Sequence, residues 1–238
     1  MVVEGYRSRV QPYLDRMSRP FLGWPPDRLS ALALGLTVLA AVLCALVPWG
    51  SYLLFLPASL LIFFGGVFDV LDGEVARRTG RASRRGDFLD HVLDRYADLA
   101  LLLGIAVSGY AYPILALLAL VSLLLTSYMG TQAQAVGVGR MYRGLLSRAD
   151  RLVLLAVATF LVFDLSLPWP WAPTAPLARI TLAGVTFTVL DVVLAYFVVA
   201  GQWTALARAR AVYRELEPPP NGPPSPAPRS TTDPPRMR

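Results

Sequence analysis

The chain has 238 residues, 55% of them hydrophobic and only 16% charged, with a net charge of +6. A soluble domain carries about 25% charged residues, so the composition excludes an ordinary soluble protein and points to a polytopic membrane protein. The one cysteine, Cys44, excludes a disulfide within the chain; the basic charge is all arginine and follows the membrane topology described next, which removes nucleic acid as its partner.

In chain order, residues 1–23 read as an amphipathic helix lying at the membrane interface. Val3, Tyr6, Val10, Tyr13, Leu14, Met17 and Phe21 recur at helical spacing, with Arg7, Arg9, Arg16 and Arg19 between them. This opening is polar and Arg-rich and lacks the apolar core of a cleavable signal. Trp24-Pro25-Pro26-Asp27 then turns the chain into the first span. Six apolar stretches follow, at 29–48, 51–71, 89–108, 111–131, 151–168 and 177–203. A hydrocarbon core needs roughly 20 helical residues to cross, and the spacing predicts an all-α bundle of six transmembrane helices over 24–215. Residues 216–238, rich in Pro and Ser with no apolar period, read as a disordered tail. No internal repeat is visible.

The connections alternate in charge. Those after the first, third and fifth stretches are uncharged or aromatic, with Trp49, Trp169 and Trp171 suited to an outer aromatic belt. The others hold the arginines at 77, 78, 81, 84 and 85, at 140, 143, 148 and 151, and at 208, 210 and 214; Arg179 alone stands on the other side. The positive-inside rule places both termini in the cytoplasm.

The second connection carries the chemistry. Asp69 and Asp72 are spaced i,i+3, and Asp90 and Asp94 i,i+4, so each pair shares a helix face. Two such faces turned together form a four-carboxylate cage of the oxygen ligands that Mg²⁺, Mn²⁺ and Ca²⁺ prefer. A cage holding two divalent ions can clamp a pyrophosphate and stabilise in-line displacement at phosphorus. Ionisable groups at membrane depth are costly and mark function; the bland alternative is a wet loop of ion pairs with Arg77, Arg78, Arg84, Arg85 and Arg95. His91 lacks the further N or S ligands of a zinc site and reads as a neighbour of the cage. Glu74, Asp87 and Asp98 read as supporting or solvated groups. Arg140, Arg143, Arg148 and Arg151 form a second constellation. They either hold their loop inside or make an anion pocket for a phosphorylated acceptor.

The order Asp69-x2-Asp72-Gly73-x2-Ala76-Arg77-x8-Gly86-x3-Asp90-x3-Asp94 resembles the signature of the CDP-alcohol phosphotransferases, with every fixed position filled. The resemblance implies a membrane enzyme that transfers a phospholipid group from a CDP-lipid to an alcohol and releases CMP, with two divalent cations, Mg²⁺ or Mn²⁺, and a homodimeric assembly. It assigns Asp69, Asp72, Asp90 and Asp94 to the metals and Asp94 also to the acceptor's hydroxyl proton. It assigns Asp69, Asp72, Gly73, Ala76, Arg77 and Gly86 to the nucleotide, with Gly86 also letting the loop turn into the next helix. Arg148-x2-Arg151 resembles members that use an inositol phosphate, although Gly130–Ala135 lacks the basic stretch those members carry. Gly86–Asp98, Thr126–Ala135 and Leu145–Arg151 resemble archaeal members, which implies CDP-archaeol as donor in place of CDP-diacylglycerol. Glycerol phosphate, serine or a CDP-inositol donor remain open within the class. A cation transporter would also use intramembrane Asp, but it would spread carboxylates over several spans, as only Asp191 does, and would not require Gly73, Ala76, Arg77 and Gly86. A catalytically dead scaffold would not retain all four Asp.

Overall fold

The computed structural model describes residues 11–139, 144, 147–168, 178–182 and 184–216. Six long helices carry the fold: α1 (Pro26–Leu46), α2 (Phe55–Arg78), α3 (Arg84–Ala106), α4 (Pro113–Ala135), α5 (Arg148–Ser166) and α6 (Val189–Leu216). Each of α1 and α4 begins on a proline, whose missing N–H is not needed in the first turn and whose φ is already helical. Among the described residues, four helices are long and apolar enough to cross a membrane: Pro26–Leu46, Tyr52–Arg78, Pro113–Ala135 and Val189–Leu216. The remaining two, α3 and α5, miss that standard because they carry Asp90, Asp94, Arg95 and Asp98, and Arg148, Asp150, Arg151 and Asp164. The protein is a largely helical, multi-pass membrane protein.

Packing follows membrane logic. Large apolar side chains such as Leu39, Phe63, Phe64, Val121, Phe160 and Val199 point outward, while Ala33, Ala40, Ala58, Ala116 and Ala119 are buried between helices. Lipid is as apolar as leucine, so helices associate by close approach over small residues. A Cβ on Gly65 would lie 2.7 Å from Thr37 Oγ1, and one on Gly201 2.8 Å from Ser122 Cβ. Neighbouring helices close a ring in the order α1, α2, α5, α6, α4, α3. Helices α2 and α3, joined by a short connection, are therefore not packed neighbours; nor are α3 and α5. One end of the ring interior is filled by apolar side chains, among them Phe55, Ile62, Leu101, Ile105, Val162 and Phe197. The other end is polar.

Three expectations change. The first helical stretch stops at residue 18, followed by a 3₁₀ turn at Arg19–Phe21, because Pro20 cannot continue an α-helix; residues 1–10 lie outside the described residues. The sixth stretch is not one helix over 177–203. Two strands, β1 (Ile180–Leu182) and β2 (Val185–Phe187), pair antiparallel with Thr181 opposite Thr186. Gly184 between them takes φ +79°, and β-branched and aromatic residues favour strands. Helix α6 starts only at Val189, where Thr188 and Asp191 form a reciprocal cap: Asp191 N donates to Thr188 Oγ1 at 3.3 Å and Thr188 N to Asp191 at 2.9 Å. Third, the chain turns between α2 and α3 at Gly80, φ +67°, not at Gly86. Gly86 lies inside the first turn of α3, where its N–H donates to the capping Ser83 Oγ at 3.1 Å. The tail beyond 216, with Trp169 and Trp171, lies outside the described residues.

Candidate active site

Side chains from the last turns of α2 and the first turns of α3 converge at the polar end of the ring. One carboxylate oxygen from each of Asp69, Asp72 and Asp90 lies within 4.8 Å of the others. Asp72 is buried and accepts a hydrogen bond from Ser30 Oγ on α1 at 2.5 Å. An oxygen-only trio suits a hard divalent cation. Such clustering of acids is expensive without a cation to offset it, so the residues fit a metal. Asp94, expected as the fourth member, is not within 4.8 Å of all three, but it shares one arginine nitrogen with Asp69. Arg148 Nη1 donates to both Asp69 and Asp94, so that one guanidinium ties α5 to α2 and α3. Asp94 also lines the cavity where Arg148 and Arg151 lie. His91 lies beside the trio without joining it, its Nδ1 2.7 Å from the Asp87 carbonyl oxygen.

Two cavities flank these carboxylates. The smaller, about 240 Å³, is lined by Ser30, Asp72, Gly73, Ala76, Arg77, Gly86 and Asp90, so the glycine, alanine and arginine positions of the signature converge on one space. A Cβ at Gly73 would lie 3.3 Å from the Arg77 guanidinium. Arg77 is held by Glu74 at 2.8 Å, and Gln11 donates to the other oxygen of Glu74 at 3.1 Å. Arg78 donates to the Asp15 carbonyl at 2.7 Å and to Ser18 Oγ at 2.8 Å, while Phe21 meets Phe68 edge-on. The N-terminal element thus packs over the end of α2.

The larger cavity, about 550 Å³, is lined by His91, Asp94, Thr131, Gln134, Arg148, Arg151 and Arg208. Arg140 and Arg143 lie outside the described residues. Arg151 is buried and donates to Asp98 at 3.1 Å. Sequence reasoning grouped Arg208 with the topology arginines, yet it lines this cavity and donates to the Thr126 carbonyl at 2.7 Å. Helical phase separates it from the rest. Gly201, Thr204 and Ala205 are buried and Arg208 continues their face, whereas Arg210 and Arg214 are exposed. Ser30 was also missed as a partner, whereas Asp98, read as a supporting or solvated group, is the partner of Arg151. At the opposite end of the bundle Asp191 is a helix cap that also accepts from Tyr112 N at 2.7 Å, and Arg179 donates to the Gly109 carbonyl at 3.0 Å beneath Tyr110. The carboxylate spread that a transporter would need reduces there to a structural clamp.

Residues 25–196 match the family model for CDP-alcohol phosphatidyltransferase. The phosphatidylinositol phosphate synthase of Cutibacterium acnes is 30% identical over 90% of this chain and 96% of its own length. The archaetidylinositol phosphate synthase of Pyrococcus horikoshii is 30% identical over 64% of this chain and 79% of its own length. Among solved structures, the phosphatidylinositol phosphate synthase of Mycobacterium tuberculosis with CDP-DAG bound superposes with a TM-score of 0.62 at 26% identity, covering 84% of this chain and 93% of that one. The signature, the bundle and these likenesses agree: this chain belongs to the CDP-alcohol phosphatidyltransferase family.

Proposed function

We propose that the protein transfers the phospholipid part of a CDP-lipid to an inositol phosphate, releasing CMP. The observation that carries this reading is the convergence of Asp69, Asp72 and Asp90 beside two cavities, one lined by the family signature and the other by five arginines, Arg148, Arg151 and Arg208 among them. The smaller cavity takes the cytidine and diphosphate: Gly73, Ala76 and Gly86 leave it space, and Arg77 contacts the CMP phosphate. The larger takes the acceptor, its phosphate facing Arg148, Arg151 and Arg208. The acceptor hydroxyl oxygen bonds to the lipid-side phosphorus, the bond from that phosphorus to CMP breaks, and Asp94, which lines the acceptor cavity, takes the hydroxyl proton. Asp69, Asp72 and Asp90 would hold a first divalent cation and Asp94 would contribute to a second. When bound, Mg²⁺ or Mn²⁺ neutralises charge on the diphosphate.

In this reading α3 and α5 also span, giving six transmembrane helices over 24–215. Residues 1–23 lie at the interface, 216–238 form a tail, and the site and both termini face the cytoplasm, as the arginine distribution supports. A homodimer belongs to the reading on family resemblance. The test incubates the purified protein with labelled CDP-archaeol or CDP-diacylglycerol and a panel of alcohols, followed by lipid chromatography. Inositol phosphate is expected to be the productive acceptor, and transfer only to serine or glycerol phosphate would overturn that choice.

A further inference from the structure

Asp98 stands one helical turn beyond Asp94 on α3, outside the signature, and is 7% exposed. Its carboxylate accepts from Arg151 Nη2 at 3.1 Å, and Arg95 Nη2 lies 3.5 Å from the same oxygen. Arg151 is equally buried, and its Nε has no hydrogen-bond partner among the described residues. Because α3 and α5 are not packed neighbours in the ring, this pair reaches across the interior at the floor of the larger cavity. Just beneath it the interior is apolar, with Leu101, Leu102, Leu152 and Leu155. A buried ion pair is a weak source of stability compared with well-packed apolar side chains, so cohesion alone does not account for two charges here. What the pair supplies is direction. A guanidinium is a rigid fork of five N–H donors; an anchor on one Nη2 fixes its plane and leaves donors for an incoming anion.

We propose that Asp98 is a positioning residue: it holds the Arg151 guanidinium at the cavity floor in the orientation that receives the acceptor's phosphate. The proposal rests on the reading of the larger cavity as the acceptor site. Asp98 touches no reacting atom and acts only through Arg151. Removing its charge leaves Arg151 in place but without the anchor that fixes the plane of its guanidinium.

The test measures acceptor and donor KM on purified full-length protein for Asp98→Asn, Asp98→Glu and Arg151→Gln, with inorganic phosphate as an inhibitor competing with the acceptor. Asp98→Asn is expected to raise acceptor KM about 10-fold, the loss that follows when one charge-assisted hydrogen bond is misaligned. The inhibition constant of phosphate is expected to rise in parallel, with donor KM unchanged. Asp98→Glu keeps the charge but displaces it by one methylene; a rise of about threefold is expected, and this variant decides the matter should the asparagine protein not accumulate. Unchanged acceptor KM in the Asp98 variants, or an equal rise in donor KM, overturns the positioning role. If Arg151→Gln also leaves acceptor KM unchanged, the acceptor assignment of the cavity falls as well; if Arg151→Gln raises it while the Asp98 variants do not, only the role of Asp98 falls.

Discussion

Gly104 on α3 faces the backbone of α1 so closely that a Cβ there would overlap the carbonyl oxygen of Ala41 and lie 2.9 Å from both its carbonyl carbon and its Cα. Carbon atoms in comfortable contact sit roughly 3.5–4.0 Å apart, so Gly104→Ala must push α1 and α3 apart by about 0.6–1 Å. The obstacle is helix backbone, which cannot rotate away as a side chain would. Overpacking of this kind costs about 1–3 kcal/mol, and alanine's better helix propensity returns roughly 1 kcal/mol at most. Gly35, on α1, has open space where a Cβ would stand, so Gly35→Ala gains the propensity term alone. Thermal unfolding of the detergent-solubilised proteins is expected to show Gly104→Ala melting several degrees below wild type and Gly35→Ala at or above it. Because Gly104 lies at the end of α3 away from Asp90, substrate KM values of the surviving fraction should stay at wild-type levels. A Gly104→Ala protein as stable as Gly35→Ala would refute the close approach of α1 and α3.

Chelation with EDTA is expected to abolish transfer and Mg²⁺ or Mn²⁺ to restore it, while Asp69→Asn, Asp72→Asn and Asp90→Asn should each lower the rate at least ~100-fold; full activity after exhaustive chelation would refute the carboxylate site. Arg208→Gln should raise acceptor KM roughly 10-fold or more with donor KM unchanged, as expected for loss of a charge-assisted contact, and equal effects on both substrates would place Arg208 elsewhere. Cys44 is buried, so impermeant thiol labelling of intact cells reads introduced cysteines cleanly: Trp49→Cys is expected to label from outside and Arg81→Cys is not, the reverse pattern inverting the orientation. Asp191→Asn replaces one accepting oxygen of the α6 cap by a donor that faces Tyr112 N or Thr188 N. It should cost about 1–3 kcal/mol of stability, read as a lower melting temperature at unchanged KM.

The carboxylate trio is legible in the chain because spacings of three and four set the phase of each Asp on its helix, and a cation site needs only phase and proximity. The partner of Asp94 is not legible in the same way. Arg148 reaches it across a diagonal of the ring, and nothing local to residues 84–106 or 148–166 states the ring order. Arg208 could have been separated from Arg210 and Arg214, since it continues the face of Gly201, Thr204 and Ala205, but a tally of arginines by loop discards helical phase. The hairpin at 180–187 escaped for another reason. A continuous apolar run has no period to distinguish strand from helix, and the capping pair Thr188 and Asp191 was the sign of where α6 begins.

The ring also bears on how the protein is made. If helices α3 and α5 span as proposed, their ionised groups disfavour insertion as isolated segments, by up to about 2.5–3.5 kcal/mol each at the bilayer centre and by less toward the polar end where they lie. Their charges neutralise one another through Arg148 with Asp94 and Arg151 with Asp98, pairs separated by 54 and 53 residues. During synthesis α3 emerges first, with its acidic face unmatched until α5 follows. A chain truncated before residue 148 therefore carries a polar helix without its counter-charges. On the six-span reading proposed above, release of α3 into lipid would wait for α5, and quality control that recognises unpaired charge in the membrane would recognise incomplete copies of this protein by the same aspartates that equip the finished one for chemistry.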